Sequence, residues 1–394
     1  MELARRVRAI EPSPTLAITA RAKALLAAGE RVLPMAAGEP DFPTPEPIRA
    51  ACTRALEAGH TGYAPSAGIP ELRNAIRQRV QADLGLEFGD DAVVVGLGAK
   101  QCLYNAMQAL LEPGCRAVFQ TPYWVSYPAQ VTLASAEPVA LPIADSGALN
   151  RRALAELDPR GLRLLVLNSP SNPSGQVLDE ADLDAVAEVV RRHDLIVLSD
   201  DIYTRLVYEG RPPHLLRRHP DLAERTLVID GLSKTYSMTG WRLGWAVGPP
   251  AVIAAMRKIQ DQSTSNAVTF VQHAAVAALA APDALVAPMR EAFRARRQAL
   301  VAGLRQLDGV DCAMPAGAFY AFADFSGWLG RRLAGQPIAS TLQLAELLLE
   351  RERVAVVPGE AFGAPGHLRF SFACSLEVID EALDRVRRLQ RRLD

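Results

Sequence analysis

A regular alternation of short apolar runs and helical stretches restricts the fold more than any other feature of this chain. Between Ala92 and Gly248, six runs rich in aliphatic residues are separated by helix-like segments. Several runs are continuously apolar rather than alternating, which is typical of strands covered on both faces. The pattern predicts an α/β domain with a largely parallel sheet. The runs are AVVVGLG (Ala92–Gly98), RAVFQTP (Arg116–Pro122), RLLVLNSP (Arg163–Pro170), LIVLSDD (Leu195–Asp201), TLVIDG (Thr226–Gly231) and LGWAVG (Leu243–Gly248).

The pattern changes after Pro288, where a second region begins. A long arginine-rich helical stretch leads into short strand-like runs, and the chain closes with an amphipathic helix. We interpret this region as a smaller α+β domain. The expected division is an N-terminal arm over residues 1–44 that joins the small domain, a large domain over 45–288, and the small domain over 289–394.

Composition excludes several classes of protein. The chain has 394 residues, of which 49% are hydrophobic and 22% charged, and its net charge is −1. This balance is ordinary for a globular enzyme and argues against a nucleic-acid surface or an anionic membrane partner. The N-terminus lacks the apolar stretch of a signal peptide, and no segment has the apolar length needed to span a bilayer. We therefore expect a cytoplasmic protein without a membrane partner.

The cysteines and histidines suggest neither a disulfide framework nor a metal site. The five cysteines are scattered without a CxxC, and the six histidines show no HExxH or similar ligand spacing. We expect reduced, mostly buried thiols and no metal.

Polar segments follow four of the apolar runs, and ligands collect at the carboxyl ends of parallel strands. Gly96–Gln101 (GLGAKQ) is a glycine-rich turn that enters a helix, and amides at a helix start bind phosphate. It matches neither a Walker A loop nor a dinucleotide fingerprint, so a tight turn without a ligand is an equal alternative here. The other segments are NSPSNPSG (Asn168–Gly175), SDDIY (Ser199–Tyr203) and GLSKTYSMTGWR (Gly231–Arg242).

Lys234 stands out because this chain hardly uses lysine. Lysine and arginine together number 43, yet only Lys23, Lys100, Lys234 and Lys258 are lysines. A guanidinium keeps its proton, whereas a buried lysine amine shifts its pKa readily and forms Schiff bases with carbonyls. Lys234 is therefore a candidate nucleophile, and an ordinary surface lysine is the alternative.

Two further charged residues lie in apolar runs. Asp200 ends a run expected to be buried, where a carboxylate is costly without a cation or donor; a helix N-cap is the simpler alternative. Arg369 lies within HLRFSFA (His367–Ala373), where an arginine needs an anionic partner. Bidentate binding of a substrate carboxylate meets that need, and a structural ion pair is the alternative.

Together these segments resemble the class I/II aminotransferases, the pyridoxal-5′-phosphate (PLP) enzymes of fold type I. The resemblance covers nearly the whole chain, and the motifs occur in the family's order. It implies a large domain with a mostly parallel seven-stranded sheet and a smaller α+β domain. The motifs are AGEPDFPTP (Ala37–Pro45), YAPSAGIPELR (Tyr63–Arg73), GAKQ (Gly98–Gln101), PYWVSYP (Pro122–Pro128), NSPSNPSG, SDDIY, SKTYSMTGWRLGW (Ser233–Trp245), AGAFY (Ala316–Tyr320), VVPGEAFG (Val356–Gly363) and HLRFSFA.

The resemblance implies three catalytic residues. Lys234 matches the lysine that forms a Schiff base with PLP and then moves the proton between the substrate Cα and the cofactor. Asp200 matches the carboxylate that keeps the pyridinium nitrogen protonated, so that the ring draws electrons from Cα. Tyr203, together with Asn172, matches the groups that bond the phenolic oxygen.

The resemblance also implies the binding residues. Trp124 matches the aromatic side chain that stacks on the cofactor ring, with Tyr123 as the other candidate. Tyr63 matches a tyrosine that reaches the phosphate of the neighbouring subunit, so a homodimer with shared active sites is implied. The cofactor-binding positions are Ala99, Lys100, Trp124, Asn172, Asp200, Tyr203, Ser233, Lys234, Arg242 and Tyr63. The substrate-binding positions are Gly38, Trp124, Asn172, Arg369, Thr15 and Lys100.

Substrate choice depends on a closer resemblance to the bacterial aspartate aminotransferases, some of which also use prephenate. In that subgroup a hydroxyl near the N-terminus and the lysine after the glycine turn help to hold the distal carboxylate. Thr15 and Lys100 occupy the matching places. Since a second buried carboxylate needs its own cation, the favoured hypothesis is transamination between L-aspartate and 2-oxoglutarate.

Several alternatives compete with this hypothesis. A broad-specificity, prephenate, alanine or aromatic aminotransferase has the same fold, and a PLP-dependent lyase is a more distant possibility. Transcription regulators with an aminotransferase-like domain carry an additional DNA-binding domain, whereas the match here begins near residue 1. The missing dinucleotide fingerprint disfavours a nicotinamide oxidoreductase.

Overall fold

The computed structural model of the protein describes residues 2–10, 14–144 and 147–394, with side chains from residue 17 onward in the second range. Its helices are α1 (Arg5–Arg8), α2 (Pro14–Ala27), α3 (Glu46–Glu57), α4 (Pro70–Leu84), α5 (Ala99–Leu110), α6 (Ser126–Leu133), α7 (Arg151–Ala155), α8 (Glu180–His193), α9 (Leu215–Arg218), α10 (Pro250–Asp261), α11 (Thr269–Ala280), α12 (Ala287–Leu304), α13 (Thr341–Glu352) and α14 (Leu376–Gln390). Its strands are β1 (Val93–Gly96), β2 (Arg116–Gln120), β3 (Glu137–Leu141), β4 (Leu162–Asn168), β5 (Ile196–Asp200), β6 (Thr226–Gly231), β7 (Gly244–Val247), β8 (Asp311–Cys312), β9 (Tyr320–Asp324), β10 (Arg332–Leu333), β11 (Gln336–Pro337), β12 (Val357–Pro358) and β13 (His367–Ser371).

A seven-stranded sheet in the order β1-β7-β6-β5-β4-β2-β3 forms the centre of the large domain. Strands β3, β2, β4, β5 and β6 are parallel, whereas β7 runs antiparallel to both β6 and β1. Neighbouring residues of one strand enter different core clusters: Val197 packs on one face of β5 and Leu198 on the other. Both faces are therefore covered, which explains the continuously apolar runs. The predicted α/β class with a mostly parallel sheet is confirmed.

The edge strand β3 has no counterpart among the six predicted runs. It begins with Glu137 and Pro138, and only Leu141 of its five residues is buried. It pairs with β2 alone, in parallel register. A strand at the edge tolerates a proline and a half-exposed sequence, so it leaves a weaker apolar signal than the central strands.

Helix α8 shows how local sequence fixes one of the covering elements. The Asp179 carboxylate accepts the amide of Asp182, and the Asp182 carboxylate accepts the amide of Asp179, which closes a capping box at the helix start. Basic residues occupy the last turn and complement the helix dipole. Helix α8 lies between β4 and β5, where the alternation of runs predicts a helix-like segment, and the structure confirms it.

The C-terminal region contains a four-stranded antiparallel sheet in the order β12-β13-β9-β8. Helices α12, α13 and α14 pack against it around a large apolar cluster that includes Phe293, Phe319, Trp328 and Phe370. The N-terminal segment joins the same region, because the Leu33 amide donates to the Arg353 carbonyl at 2.8 Å.

Two physical findings complete the fold. Over the ranges that the structure describes, no helix is both long enough and apolar enough to cross a membrane. All five cysteines are free thiols, and every one except the half-buried Cys52 is buried, as the sequence predicts.

Candidate active site

A cavity of about 450 Å³ lies where the carboxyl ends of β4 and β5 face strand β13. The structure brings most of the predicted site residues to its wall. They are Gly38, Ala99, Lys100, Trp124, Asn172, Asp200, Tyr203, Ser233, Lys234, Arg242 and Arg369. Tyr63 is not among them, since its side chain is 95% exposed on the surface of the chain. The prediction for Thr15 concerns a side chain outside the described part; Thr19, in the same helix, lines the cavity.

Lys234 follows strand β6 and directs its amine into this cavity. Its Nζ donates a hydrogen bond to the carbonyl of Gly38 at 2.5 Å. Burial lowers the pKa of the amine from 10.5 to about 8; Glu39 opposes the shift, and Arg369 adds to it. A Lys234 amine of this pKa is partly neutral near physiological pH, and a neutral amine is the form that attacks carbonyls and accepts protons.

Asp200 ends strand β5 and is only 4% exposed. Its Oδ2 accepts the hydroxyl of Tyr127 at 2.7 Å, and its Oδ1 accepts the amide of Ile202 at 3.4 Å. Burial raises the pKa of the carboxyl to about 6, and the Tyr127 hydrogen bond limits the rise. A turn rather than a helix follows Asp200, so the alternative of a helix N-cap is wrong.

Arg369 lies in the middle of β13, opposite Phe322 and Val357, and is 2% exposed. Its Nη1 donates to Asn172 Oδ1 at 2.9 Å, and its Nη2 donates to the carbonyl of Ala36 at 3.0 Å. Within the described ranges no carboxylate pairs with the guanidinium, and its Nε is buried without an acceptor. The structural ion pair that the sequence left open therefore has no partner in the described part of the chain.

A pair of buried tyrosines completes this side of the cavity. The hydroxyls of Tyr203 and Tyr320 are 3.0 Å apart, and the Tyr320 ring lies 4.3 Å from the Arg369 guanidinium carbon. Burial raises the pKa of both phenols, so both remain protonated and can donate hydrogen bonds.

The turn before α5 brings several donors together. Gly98 has φ +86°, and an added Cβ there would lie 3.0 Å from Arg242 Nη2. The amides of Ala99 and Lys100, at the start of α5, have no partner within the helix, whereas the Gln101 amide donates to the Gly98 carbonyl at 3.1 Å. Arg242 is fixed beside them through its Nη1, which donates to the Thr239 carbonyl at 2.8 Å. Helix amides next to a guanidinium can hold a phosphate group.

Trp124 and Lys100 form another part of the wall. The Lys100 amine lies 4.9 Å from the centroid of the Trp124 ring, and burial lowers its pKa, with a further contribution from Arg242. Tyr123, the alternative aromatic residue, lines only a much smaller, adjoining apolar cavity, which shares Trp124 and Asn172 with the first. The cavity wall therefore contains Trp124 and not Tyr123.

Sequence reasoning assigned no role to Tyr127, Tyr320 or Glu39, although each lies inside a quoted motif. Tyr127 bonds Asp200, Tyr320 bonds Tyr203, and Glu39 accepts the Thr239 hydroxyl at 2.8 Å. Their position within PYWVSYP, AGAFY and AGEPDFPTP was the only signal, and it did not reveal these partners.

The charge balance of the cavity favours an anionic ligand. Lys100, Lys234, Arg242 and Arg369 line it, against the carboxylates of Asp200 and Glu39. A ligand with more than one anionic group would complement this excess.

Fold and site together define an aminotransferase, and comparison with known proteins shows the family directly. Residues 30–386 match the family model described as aminotransferase class I and II, and the chain belongs to this family. It is 40% identical to the aspartate aminotransferase of Bacillus subtilis over 393 residues, which cover 98% of each chain. It is 43% identical to the aspartate/prephenate aminotransferase of Cereibacter sphaeroides, over 96% of each chain.

Solved structures agree with this assignment. The aspartate aminotransferase of Rhizobium meliloti superposes with a TM-score of 0.96 at 41% identity, over 100% of both chains. The aspartate aminotransferase of Thermus thermophilus with maleate gives a TM-score of 0.92 at 39% identity, over 99% of this chain and 100% of that one. The likeness to fold type I aminotransferases therefore extends over the whole architecture.

Proposed function

We propose that this aminotransferase binds PLP at Lys234 and transfers the amino group between L-aspartate and 2-oxoglutarate. The observation that carries the proposal is the distribution of cations around one cavity. Arg242 lies beside the start of α5, Arg369 lies beside Asn172, and Lys100 lies beside Trp124. One phosphate and two substrate carboxylates require three such positions.

The residues present fit the cofactor. Asp200 is a buried carboxylate without a cationic partner in the described ranges, and a pyridinium nitrogen would supply that partner. Lys234 provides an amine of lowered pKa, and Arg242 with the first turn of α5 provides a phosphate cradle. When bound, PLP supplies an aldehyde that condenses with amines and a ring that accepts electrons from Cα.

Asp200 and Tyr203 would hold the two polar atoms of the cofactor ring. The charged carboxylate of Asp200 favours a proton on the ring nitrogen, and Tyr127 fixes the carboxylate by its hydrogen bond. The Tyr203 phenol and the Asn172 amide can donate to the phenolic oxygen.

Lys234 would carry the proton between the substrate Cα and the cofactor. A general base is most efficient when its pKa lies near the working pH, and the pKa of Lys234 is lowered to about 8. Arginine at this position would remain charged and could not perform the transfer.

Arg369 would bind the substrate α-carboxylate with the backbone at Gly38. A guanidinium has five N–H donors, and the hydrogen bonds to Asn172 and Ala36 leave others available for a carboxylate. Those two hydrogen bonds also fix the guanidinium plane before substrate arrives, which lowers the cost of ordering it.

Lys100 would bind the distal carboxylate of aspartate, with the Thr15 hydroxyl as a second donor. The relatives named above support this choice of substrate, and the structure of one of them contains maleate, which is a dicarboxylate. The 95% exposed ring of Tyr63 suits the proposed homodimer, in which it would reach the partner's phosphate site. Sedimentation equilibrium tests this part, and a monomer would contradict it.

The substrate hypothesis is tested with single-turnover absorbance on the purified holoenzyme. We expect fast conversion of the cofactor with L-aspartate and L-glutamate and slow conversion with L-alanine and L-phenylalanine. Lys100→Ala should slow the aspartate reaction by about ten- to a hundredfold, because a charge-assisted hydrogen bond is lost, and leave alanine nearly unchanged.

Lys258→Ala is the matched control, since Lys258 is an exposed lysine of α10. An equal loss for aspartate and alanine in Lys100→Ala would show that Lys100 does not bind the distal carboxylate. Failure of the protein to take up PLP would contradict the cofactor assignment itself.

A further inference from the structure

A second cavity of about 370 Å³ lies beside strands β6 and β7, next to the end of α4 and the 204–217 loop. None of its lining residues lines the first cavity. Its volume is within the range of small-molecule sites. Ionisable side chains are concentrated on its wall: Arg79, Asp83, Asp201, Arg205, Arg211, His214, Arg217, Asp230 and Arg290. We call it the arginine cavity.

Three of the arginines lack a carboxylate. Arg79, Arg211 and Arg217 donate to backbone carbonyls, and over the described ranges none of them forms an ion pair. Burial lowers the pKa of Arg217, and the neighbouring Arg211 lowers it further, so the two guanidiniums repel each other. Asp83 and Asp201 attract the Arg217 guanidinium and oppose this lowering of its pKa, but within the described ranges neither carboxylate forms an ion pair with Arg211 or Arg217.

The carboxylates of this cavity are already engaged or neutral. Asp83 pairs with Arg205, and Asp201 is bonded to His214 Nε2 at 2.9 Å and to the Ser199 hydroxyl at 2.7 Å. Burial raises the pKa of Asp230 well above its ordinary value, which favours the uncharged acid. Arg290, the remaining arginine, pairs with Asp283 outside the cavity wall.

One residue of the cavity wall carries a buried donor. Trp245 is 2% exposed, and its Nε1 has no hydrogen-bond acceptor in the described part of the protein. It is paired with Asp230 across β6 and β7, so both residues belong to the same stretch of the wall. An indole N–H can only donate, and buried donors are nearly always satisfied.

We propose that the arginine cavity binds a small oxyanion with at least two negative charges, of the phosphate or polycarboxylate class. Guanidiniums bind such oxyanions bidentately, and an oxygen atom would also accept the Trp245 N–H. The uncharged Asp230 acid can add a donor, because a protonated carboxyl has one O–H. The proposal is independent of the aminotransferase function, because the two cavities share no residue.

Isothermal titration of the PLP-loaded enzyme tests the proposal, with inorganic phosphate and citrate as separate probes at constant ionic strength. PLP occupies the phosphate position of the first cavity during the titration, and a saturating concentration of maleate occupies the carboxylate positions at Arg369 and Lys100. We expect one site per chain for the preferred probe, and at least about tenfold weaker binding in the double variant Arg211→Gln/Arg217→Gln. The transamination rate of this variant should equal that of the parent.

The double variant Arg152→Gln/Arg160→Gln is the matched control. It removes the same charge from side chains that are 86% and 88% exposed and lie outside the cavity. Binding should be unchanged in this control, since only net charge is altered. If both double variants bound the probe equally weakly, the loss would result from the change in net charge and not from the cavity. That outcome would overturn the proposal.

Trp245→Phe provides a second route if the arginine variants do not fold. It retains every arginine and a six-membered aromatic ring, and it removes the indole N–H together with the five-membered ring, so we expect binding to weaken by about threefold to tenfold. Preference for phosphate or for citrate identifies the source of the oxyanion. Absence of binding of both probes to the parent enzyme would refute the site.

Discussion

The two cavities of this protein both collect positive charge, but they do so with different side chains. The first, about 450 Å³, contains Lys100 and Lys234 beside its arginines. The arginine cavity, about 370 Å³, contains five arginines and no lysine among the residues described. Arginine supplies a charge that does not change near neutral pH, whereas a buried lysine can lose its proton. The first cavity therefore contains cations that can change their protonation near neutral pH, whereas the cations of the arginine cavity keep their charge.

Two consecutive aspartates, Asp200 and Asp201, line different cavities and have different hydrogen-bond partners. Asp200 is bonded to the neutral hydroxyl of Tyr127 and lines the first cavity, and Asp201 is bonded to His214 and lines the arginine cavity. Successive residues of a strand point to opposite faces of a sheet, and this arrangement continues at the end of β5. One strand therefore supplies a carboxylate to each cavity, and the surroundings decide its chemistry.

The largest expected effect comes from replacing Lys234, which can lose its proton, by an arginine, which cannot. Lys234→Arg keeps a positive charge but cannot deprotonate, so the half-reaction with L-aspartate should slow by at least about ten-thousandfold. Single-turnover absorbance measures the loss, and Lys258→Arg on exposed α10 should react at the parental rate. Substantial activity in Lys234→Arg would show that the first cavity does not require a side chain that can lose its proton.

A smaller but direct effect is the pH dependence of the Lys234 amine in the cofactor-free protein. Burial lowers its pKa from 10.5 to about 8, so the neutral fraction at pH 7 should exceed that of an ordinary lysine by about a hundredfold or more. Acylation of Lys234, followed by mass spectrometry, should rise with pH and level off above about 8. In the denatured chain the midpoint should move upward, and an unchanged midpoint would show that the fold does not cause the shift.

The smallest expected effect concerns Tyr127. Tyr127→Phe removes the hydrogen bond that favours charged Asp200, so the pKa of Asp200 should rise further above about 6. The loss of one such hydrogen bond corresponds to about a tenfold change in the protonation equilibrium. Infrared titration of the carboxyl band in the cofactor-free protein measures it. Tyr236→Phe is the control, because the Tyr236 hydroxyl bonds Arg79 and not Asp200, and it should leave the pKa of Asp200 unchanged.

Much of the fold was predictable because its signals are local. The five central strands and β1 coincide with the predicted apolar runs, and the amphipathic helix predicted near the C-terminus is α14. Strand β3 was not predicted, because an edge strand that begins with Glu137 and Pro138 needs little apolar character. Its pairing with β2 supplies what its sequence lacks.

The candidate site also combines residues that have a local sequence signal with contacts that depend on distant segments. The sequence alone indicated Lys234, Asp200 and Arg369 as candidate site residues. A rare lysine and charged residues inside apolar runs can be recognised from the order of residues, without any tertiary contact. It assigned no partner to Asp200 or Arg369, since Tyr127 is 73 residues from Asp200 and Asn172 is 197 residues from Arg369.

Tertiary structure alone decided which charges are neutralised. The sequence has 43 lysine and arginine residues and 44 aspartate and glutamate residues, so the overall composition does not show where positive charge is locally in excess. Packing placed Arg79, Arg211 and Arg217 on one cavity wall, where none of them forms an ion pair within the described ranges, and it left the Trp245 N–H buried without an acceptor. Burial and pairing depend on contacts between distant segments, so they arise only when the chain folds.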